Sequence, residues 1–147
     1  MNYMTKRKLC EYTGWDFKKS SDDIANGADF ILTGANGRMI CDMDDCAAAF
    51  VYTDARQAGH TVKVAGALAK RLRAAMRDHP HADQLTVVTL LNGSTFTQPT
   101  ADLDLTTGYV SGGFVLTATM FDIRNLRDRV RQAIAADPKV IGGDDGE

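Results

Sequence analysis

The sequence predicts an α+β protein in which a mainly antiparallel sheet of about four to six strands packs against one long central helix and a C-terminal helix. Apolar residues recur with a helical period from Thr53 to His79, and Gln84–Leu91 has the composition of a buried strand. Glycine-rich turns separate short apolar segments. Because strands and helices do not alternate regularly, a doubly wound parallel sheet is not favoured.

The N-terminal segment, Met1–Ser21, is a lead that combines basic and aromatic residues. It contains Trp15, and Gly14 interrupts it, which predicts a short helix or loose arm followed by a turn. An aromatic cluster of this kind is typical of a segment that packs on a core. A patch that stacks on nucleic-acid bases is the alternative interpretation.

A hairpin is predicted between Asp29 and Asp42. Phe30–Thr33 and Met39–Cys41 flank Asn36-Gly37, a dipeptide that adopts the positive φ angles of a tight turn. The next segment, from Asp42 to Phe50, predicts a turn and one short helical turn, and the two residues after it predict a brief extended stretch.

The long helix is predicted from the period of its apolar face. Thr53 is suited to the N-cap and Pro80 to ending the helix. Gly59 and Gly66 each weaken a helix by about 1 kcal/mol relative to alanine, so a break near Gly59 stays open. Small side chains favour close packing on the sheet over a coiled-coil dimer seam, which is the second interpretation. The face consists of Ala55, Ala58, Val62, Ala65, Ala69, Leu72 and Met76.

The C-terminal half predicts three more elements besides the central strand Gln84–Leu91. Pro99 makes Thr95–Leu105 an edge strand or loop. Tyr109–Val110 and Phe114–Phe121 form a second hairpin, and the alternation in its second arm predicts a half-buried strand. Asp122 caps a final helix whose apolar positions are Ile123, Leu126, Val130, Ala133 and Ile134.

A chain of 147 residues suits one domain, which we predict over residues 1–141, followed by an acidic glycine-rich tail at 142–147. No apolar run is long enough to cross a bilayer, and no apolar stretch follows the basic Met1–Lys8. Three cysteines do not form a disulfide framework. These features predict a cytoplasmic protein without a membrane partner.

Catalytic chemistry is weakly indicated. Asp42, Asp44 and Asp45 lie between Cys41 and Cys46, and such a carboxylate cluster would suit a metal-dependent enzyme. The spacing matches neither an EF-hand nor the usual zinc patterns, which favours a solvated acidic turn. Histidine, serine and cysteine residues occur in no nucleophile motif. We therefore expect neither catalytic residues nor a cofactor or metal.

Basic residues on the two helices are the candidate binding residues. Four on the long helix fall within an arc of about 80°, and three on the final helix form a second stripe. Arginine-rich stripes bind phosphates and carboxylates, although charged helix faces also serve solubility. The net charge of −2 gives no general attraction to nucleic acid. The candidates are Lys63, Lys70, Arg73, Arg77, Arg124, Arg127 and Arg131.

The preferred hypothesis is a small non-catalytic binding protein that docks on a protein partner through a helix face or its N-terminal lead. The alternatives are a nucleic-acid-binding protein that uses the basic stripes and a metal-dependent enzyme that uses the aspartate cluster. From Ile31 to Leu91 a strand, an Asn-Gly turn, a second strand, a helix and a Val-Val strand follow one another. This order resembles a unit of small phage and plasmid proteins, and the resemblance implies a modulator or inhibitor of a host complex.

Overall fold

The structure is a computed structural model that describes residues 3–31 and 40–137. Those residues form an α+β fold with five α-helices and two antiparallel sheets, one of four strands and one of two. This confirms the predicted class. In chain order the elements are β1 Met4–Thr5, α1 Lys6–Thr13, α2 Phe17–Ala25, β2 Ile40–Cys41, α3 Met43–Gln57, α4 Val62–Asp78, β3 Gln84–Leu90, β4 Thr95–Pro99, β5 Tyr109–Val110, β6 Gly113–Asp122 and α5 Ile123–Ala135.

Contacts divide the chain into two units, with Ala74–Asn125 as the second and the residues on either side as the first. The first unit contains α1 to α3, most of α4 and most of α5, together with the small sheet of β1 and β2. The second contains the four-stranded sheet. The single domain that we predicted over residues 1–141 stays a prediction.

An aromatic cluster lies in the core of the first unit. The Trp15 ring stacks on Phe30 with centroids 5.4 Å apart and lies 5.0 Å from Tyr52. The indole Nε1–H donates a hydrogen bond to Asp23 Oδ2 at 2.9 Å, so the polar atom of this buried ring is satisfied. The N-terminal lead is therefore helical and packed through Trp15 into the core.

The predicted helix from Thr53 to His79 is wrong in its extent. The structure has two helices, α3 and α4, and the chain turns between them at Gly59, whose φ is +99°. Thr53 is not an N-cap but lies inside α3, where its hydroxyl donates to the Phe50 carbonyl at 3.1 Å. A residue in the left-handed backbone conformation ends a helix, and glycine adopts that conformation without steric cost.

The true start of α3 is a capping box. Asp42 accepts a hydrogen bond from the Asp45 backbone N–H, and Asp45 accepts one from the Asp42 backbone N–H, each at 2.9 Å. These reciprocal bonds satisfy donors that the first helical turn leaves open. The helix that they start runs from Met43 through Tyr52, where the sequence predicted a turn, one short helical turn and a brief extended stretch.

The predicted apolar face is buried along α4 from Ala65 to Met76, whereas Ala58, which precedes the helix, is exposed. The predicted packing of this face on the sheet stays a prediction. Ala65, Ala69, Leu72 and Met76 have no exposed surface. Gly66 lies on the backbone of the Gly27–Ala28 turn, because a Cβ at Gly66 would come within 2.2 Å of the Gly27 carbonyl oxygen. Only glycine allows this close approach.

The predicted hairpin between Asp29 and Asp42 lies largely outside the described residues, because residues 32–39 are not among them. The described part of its second arm, Ile40–Cys41, pairs antiparallel with Met4–Thr5. Phe30 and Ile31 are buried, but the structure does not assign them to a strand.

The second unit has the strand order β4-β3-β6-β5. The central position of β3 and the predicted hairpin of β5 and β6 are confirmed, as is the edge position of β4. Asp122 caps α5 as predicted, since its Oδ1 accepts a hydrogen bond from the Asn125 backbone N–H at 2.9 Å. Among the described residues, no helix has the length and apolar character that crossing a membrane requires.

Candidate functional site

The predicted basic residues of α4 do not form one exposed row. Arg73 is only 9% exposed and forms an ion pair with the buried Asp45 of α3. Lys70 Nζ contacts Asp29 Oδ2 at 3.2 Å. Lys63 and Arg77 are exposed. Burial and pairing therefore remove Arg73 from the surface that a partner can reach.

The predicted basic residues of α5 are also partly engaged. Arg131 contacts Asp128 at 2.8 Å, Arg124 is exposed and Arg127 is half-buried. Arg129, which lies outside the predicted stripe, places its guanidinium 4.3 Å from the centre of the Phe50 ring and contacts Asp54 at 2.8 Å. Some of the basic side chains on this helix are thus engaged in contacts within the chain.

The aspartate cluster has a structural use in the described residues. Asp42 and Asp45 form the capping box, and Asp45 also pairs with Arg73. Burial raises the pKa of Asp45, and the nearby guanidinium opposes that increase. Within residues 3–31 and 40–137, no group of three His, Cys, Asp or Glu side chains is placed to hold a metal ion. These contacts favour helix initiation over catalysis.

The three cysteines are buried in the first unit. Burial raises the pKa of the Cys10 thiol to about 11, and the pKa values of Cys41 and Cys46 to about 12. The thiolate is the reactive form of cysteine, so these side chains are poor nucleophiles at neutral pH.

The most unusual surface of the described structure is strand β6. Its residues from Leu116 to Met120 are all exposed, although neighbouring side chains of a strand point to opposite faces. The exposed fractions of Phe114, Leu116 and Met120 are 60%, 59% and 52%. The alternation that predicted a half-buried strand is therefore wrong about the apolar residues, which face solvent.

The pairing of β6 leaves one of its edges open along this segment. One edge of β6 pairs with β3 along Gln84–Leu90. The other edge pairs with β5 only at Gly113 and Phe114, and the Val115 N–H donates to the Gly108 carbonyl at 2.8 Å. Among the described residues, no strand pairs with the outer edge from Leu116 to Asp122.

A β-bulge interrupts the strand at the start of this open edge. Val115 pairs with Leu90 and Thr117 pairs with Thr89, which leaves Leu116 as an extra residue. The side chains on the two sides of Leu116 therefore do not follow one continuous alternation. The bulge therefore shifts the alternation between Val115 and Thr117.

The open edge lacks the charges that usually protect edge strands. Gly113–Phe121 contains neither a charged residue nor proline, whereas natural edge strands commonly carry lysine, proline or a covering element. The opposite edge strand, β4, ends at Pro99, and all five of its residues are half-buried. An uncharged open edge with exposed apolar side chains can accept a further strand, through backbone hydrogen bonds and apolar contacts.

The chain matches no protein-family model and no curated protein sequence.

Proposed function

We propose that this protein is a small non-catalytic binding protein that docks on a protein partner, and that the open edge of β6 is its docking surface. The single observation that carries the proposal is the run of exposed residues from Leu116 to Met120, on a strand edge that pairs with no strand of residues 3–31 and 40–137 there. The partner supplies an extended segment that pairs with β6 as an additional strand.

The chemistry of this surface supports a protein over a nucleic acid. Recognition of nucleic acid depends on cations that neutralise phosphates, and Gly113–Phe121 has none. On α4, Arg73 and Lys70 are paired with carboxylates of this chain. The resemblance to phage and plasmid proteins covers Ile31–Leu91 and includes no residue of β6, so the proposal does not identify a host complex.

A photo-reactive amino acid at Thr119 tests the proposal in cells that express the protein. We expect irradiation to give a discrete protein adduct whose attachment site in the partner lies within one extended segment. The adduct should disappear when Leu116→Lys and Met120→Lys are added, because lysine on the edge opposes strand addition. The same photo-reactive residue at Lys19, which is exposed on α2, is the control.

Three results would count against the proposal. The first is the absence of any protein adduct from Thr119, and the second is an adduct with nucleic acid. The third is an adduct that persists unchanged in the double-lysine variant. Circular dichroism of that variant checks that the fold is retained, as expected for two exposed positions.

A further inference from the structure

We propose that the strand which docks on β6 is β6 of a second copy of this chain, paired antiparallel about a two-fold axis at Ala118. The two four-stranded sheets then join into one continuous sheet across the dimer. This inference rests on the proposed function, because it names the partner of the same edge.

The length of the open edge of β6 suits pairing with the same edge of a second copy of the chain. β5 occupies the edge at Gly113 and Phe114, so pairing is confined to Leu116–Asp122. A two-fold axis makes the contact isologous, which means that the same stretch is used by both copies. With the axis at Ala118, the stretch that pairs is Leu116–Met120 on both copies, and the backbone groups on its open edge are satisfied together.

The sequence of this stretch is complementary to itself. With the axis at Ala118, Leu116 lies opposite Met120 of the partner, and Thr117 lies opposite Thr119 of the partner. Apolar pairs and threonine pairs are both favourable across antiparallel strands. Moving the axis to Thr119 would place Leu116 opposite the partner's Asp122, which pairs an apolar side chain with a carboxylate. The register at Ala118 avoids this.

The absence of charge favours a second copy in particular. A two-fold contact brings a charged residue at the axis against its own counterpart, so a charge there would repel the second copy. Gly113–Phe121 contains no charge to repel. Ala118 and its neighbours Thr117 and Thr119 are exposed, so the pairing replaces solvent and not another part of the described chain.

The size of the contact sets the expected strength. One short strand pair lies at the low end of specific interfaces, below about 1,200 Å² of buried surface. We therefore expect a reversible dimer whose fraction rises between about 1 and about 100 μM, as for weak interfaces.

Sedimentation equilibrium over this concentration range tests the inference. The wild-type protein should change from monomer to dimer. Ala118→Lys and Ala118→Asp should each stay monomeric, because the axis places two like charges together. An equimolar mixture of the two variants should restore dimerisation, because opposite charges then face each other across the axis. This rescue also establishes that both variants are folded. Ala67→Lys on α4, at another exposed alanine, is the control and should dimerise like wild type.

A wild-type protein that stays monomeric across this range, an Ala118→Lys variant that still dimerises, or a mixture that fails to dimerise would overturn the inference. If the Thr119 photo-adduct then contains a different protein, the second copy is wrong and the proposed function stands. If Thr119 gives no protein adduct, both are wrong.

Discussion

Arg73 of α4 donates a hydrogen bond from Nε to Oδ1 of Asp45 in α3, and both side chains are buried. Among the residues that the structure describes, none accepts a hydrogen bond from Nη2 of Arg73. The pair links two helices of the first unit, and Asp45 also belongs to the capping box that starts α3.

Arg73→Met should destabilise the protein by about 3–5 kcal/mol, because it removes the guanidinium that pairs with the buried Asp45 carboxylate. Lys63→Met, at an exposed position on the same helix, should change the free energy of unfolding by less than about 0.5 kcal/mol. Urea unfolding measures both variants. Adding Asp45→Asn to Arg73→Met should cost less than the sum of the single changes. Equal small effects of Arg73→Met and Lys63→Met would contradict the buried pair.

Gly66→Ala should destabilise the protein although alanine favours helix. The new Cβ would approach the Gly27 carbonyl oxygen to 2.2 Å, so the backbone of one segment must move. Overpacking of this kind costs about 1–3 kcal/mol, whereas alanine in an unconstrained helix gains about 1 kcal/mol over glycine. Thermal and urea unfolding measure the sign. A stabilised Gly66→Ala variant would show that α4 does not lie this close to the Gly27 turn.

Substitutions of a buried and of an exposed hydrophobic residue in the four-stranded sheet should change the free energy of unfolding by different amounts. Val88 has no exposed surface, and Val88→Ala should cost about 2–3 kcal/mol. Met120 is more than half exposed, and Met120→Lys should leave stability within about 0.5 kcal/mol of wild type. Chemical unfolding followed by far-ultraviolet circular dichroism gives both values. A large loss from Met120→Lys would contradict the exposure of β6.

Stability should fall as pH rises above about 8.5, the ordinary pKa of cysteine. Burial raises the folded-state pKa of Cys41 and Cys46 to about 12, so the folded protein retains protons that the unfolded chain releases. The stability that this linkage contributes is complete below the unfolded pKa. It is lost as pH rises toward the folded pKa, by up to about 1.4 kcal/mol per pH unit for each thiol.

Urea unfolding between pH 7 and pH 10 under reducing conditions measures this dependence. A variant with Cys10→Ala, Cys41→Ala and Cys46→Ala is the comparison, and its stability should depend less on pH. If the free energy of unfolding changes with pH by the same amount in the two proteins, the burial of the thiols is contradicted, whatever the absolute stabilities.

Local signals predicted most of the second unit. The β-branched composition of Gln84–Leu91, Pro99 and the glycine turn before Phe114 gave the three strand positions, and Asp122 gave the start of α5. Each signal acts within a few residues, so the sequence contains it directly. The helix that we predicted from Thr53 failed because two helices kept a similar apolar period on either side of Gly59, and the periodicity did not reveal the turn between them.

The candidate surface was harder to predict because it depends on contacts distant in sequence. The regular alternation of Phe114, Leu116, Ala118 and Met120 indicates a strand but does not say which neighbours cover it. The open edge follows from the short pairing with β5, and the bulge at Leu116 shifts the alternation. For Arg73, only the spatial position of Asp45 separates a buried ion pair from a surface cation. The uncharged run from Gly113 to Phe121 is the one signal that could have indicated the edge.

The positions of Trp15 and the three cysteines have a practical consequence for unfolding experiments. All four side chains belong to the first unit, and the chain has no other tryptophan or cysteine. Intrinsic tryptophan fluorescence and thiol labelling are therefore blind to the second unit, whereas circular dichroism detects the secondary structure of both. Coincident transitions by these probes would establish that the chain unfolds cooperatively, and separate transitions would give each unit its own stability.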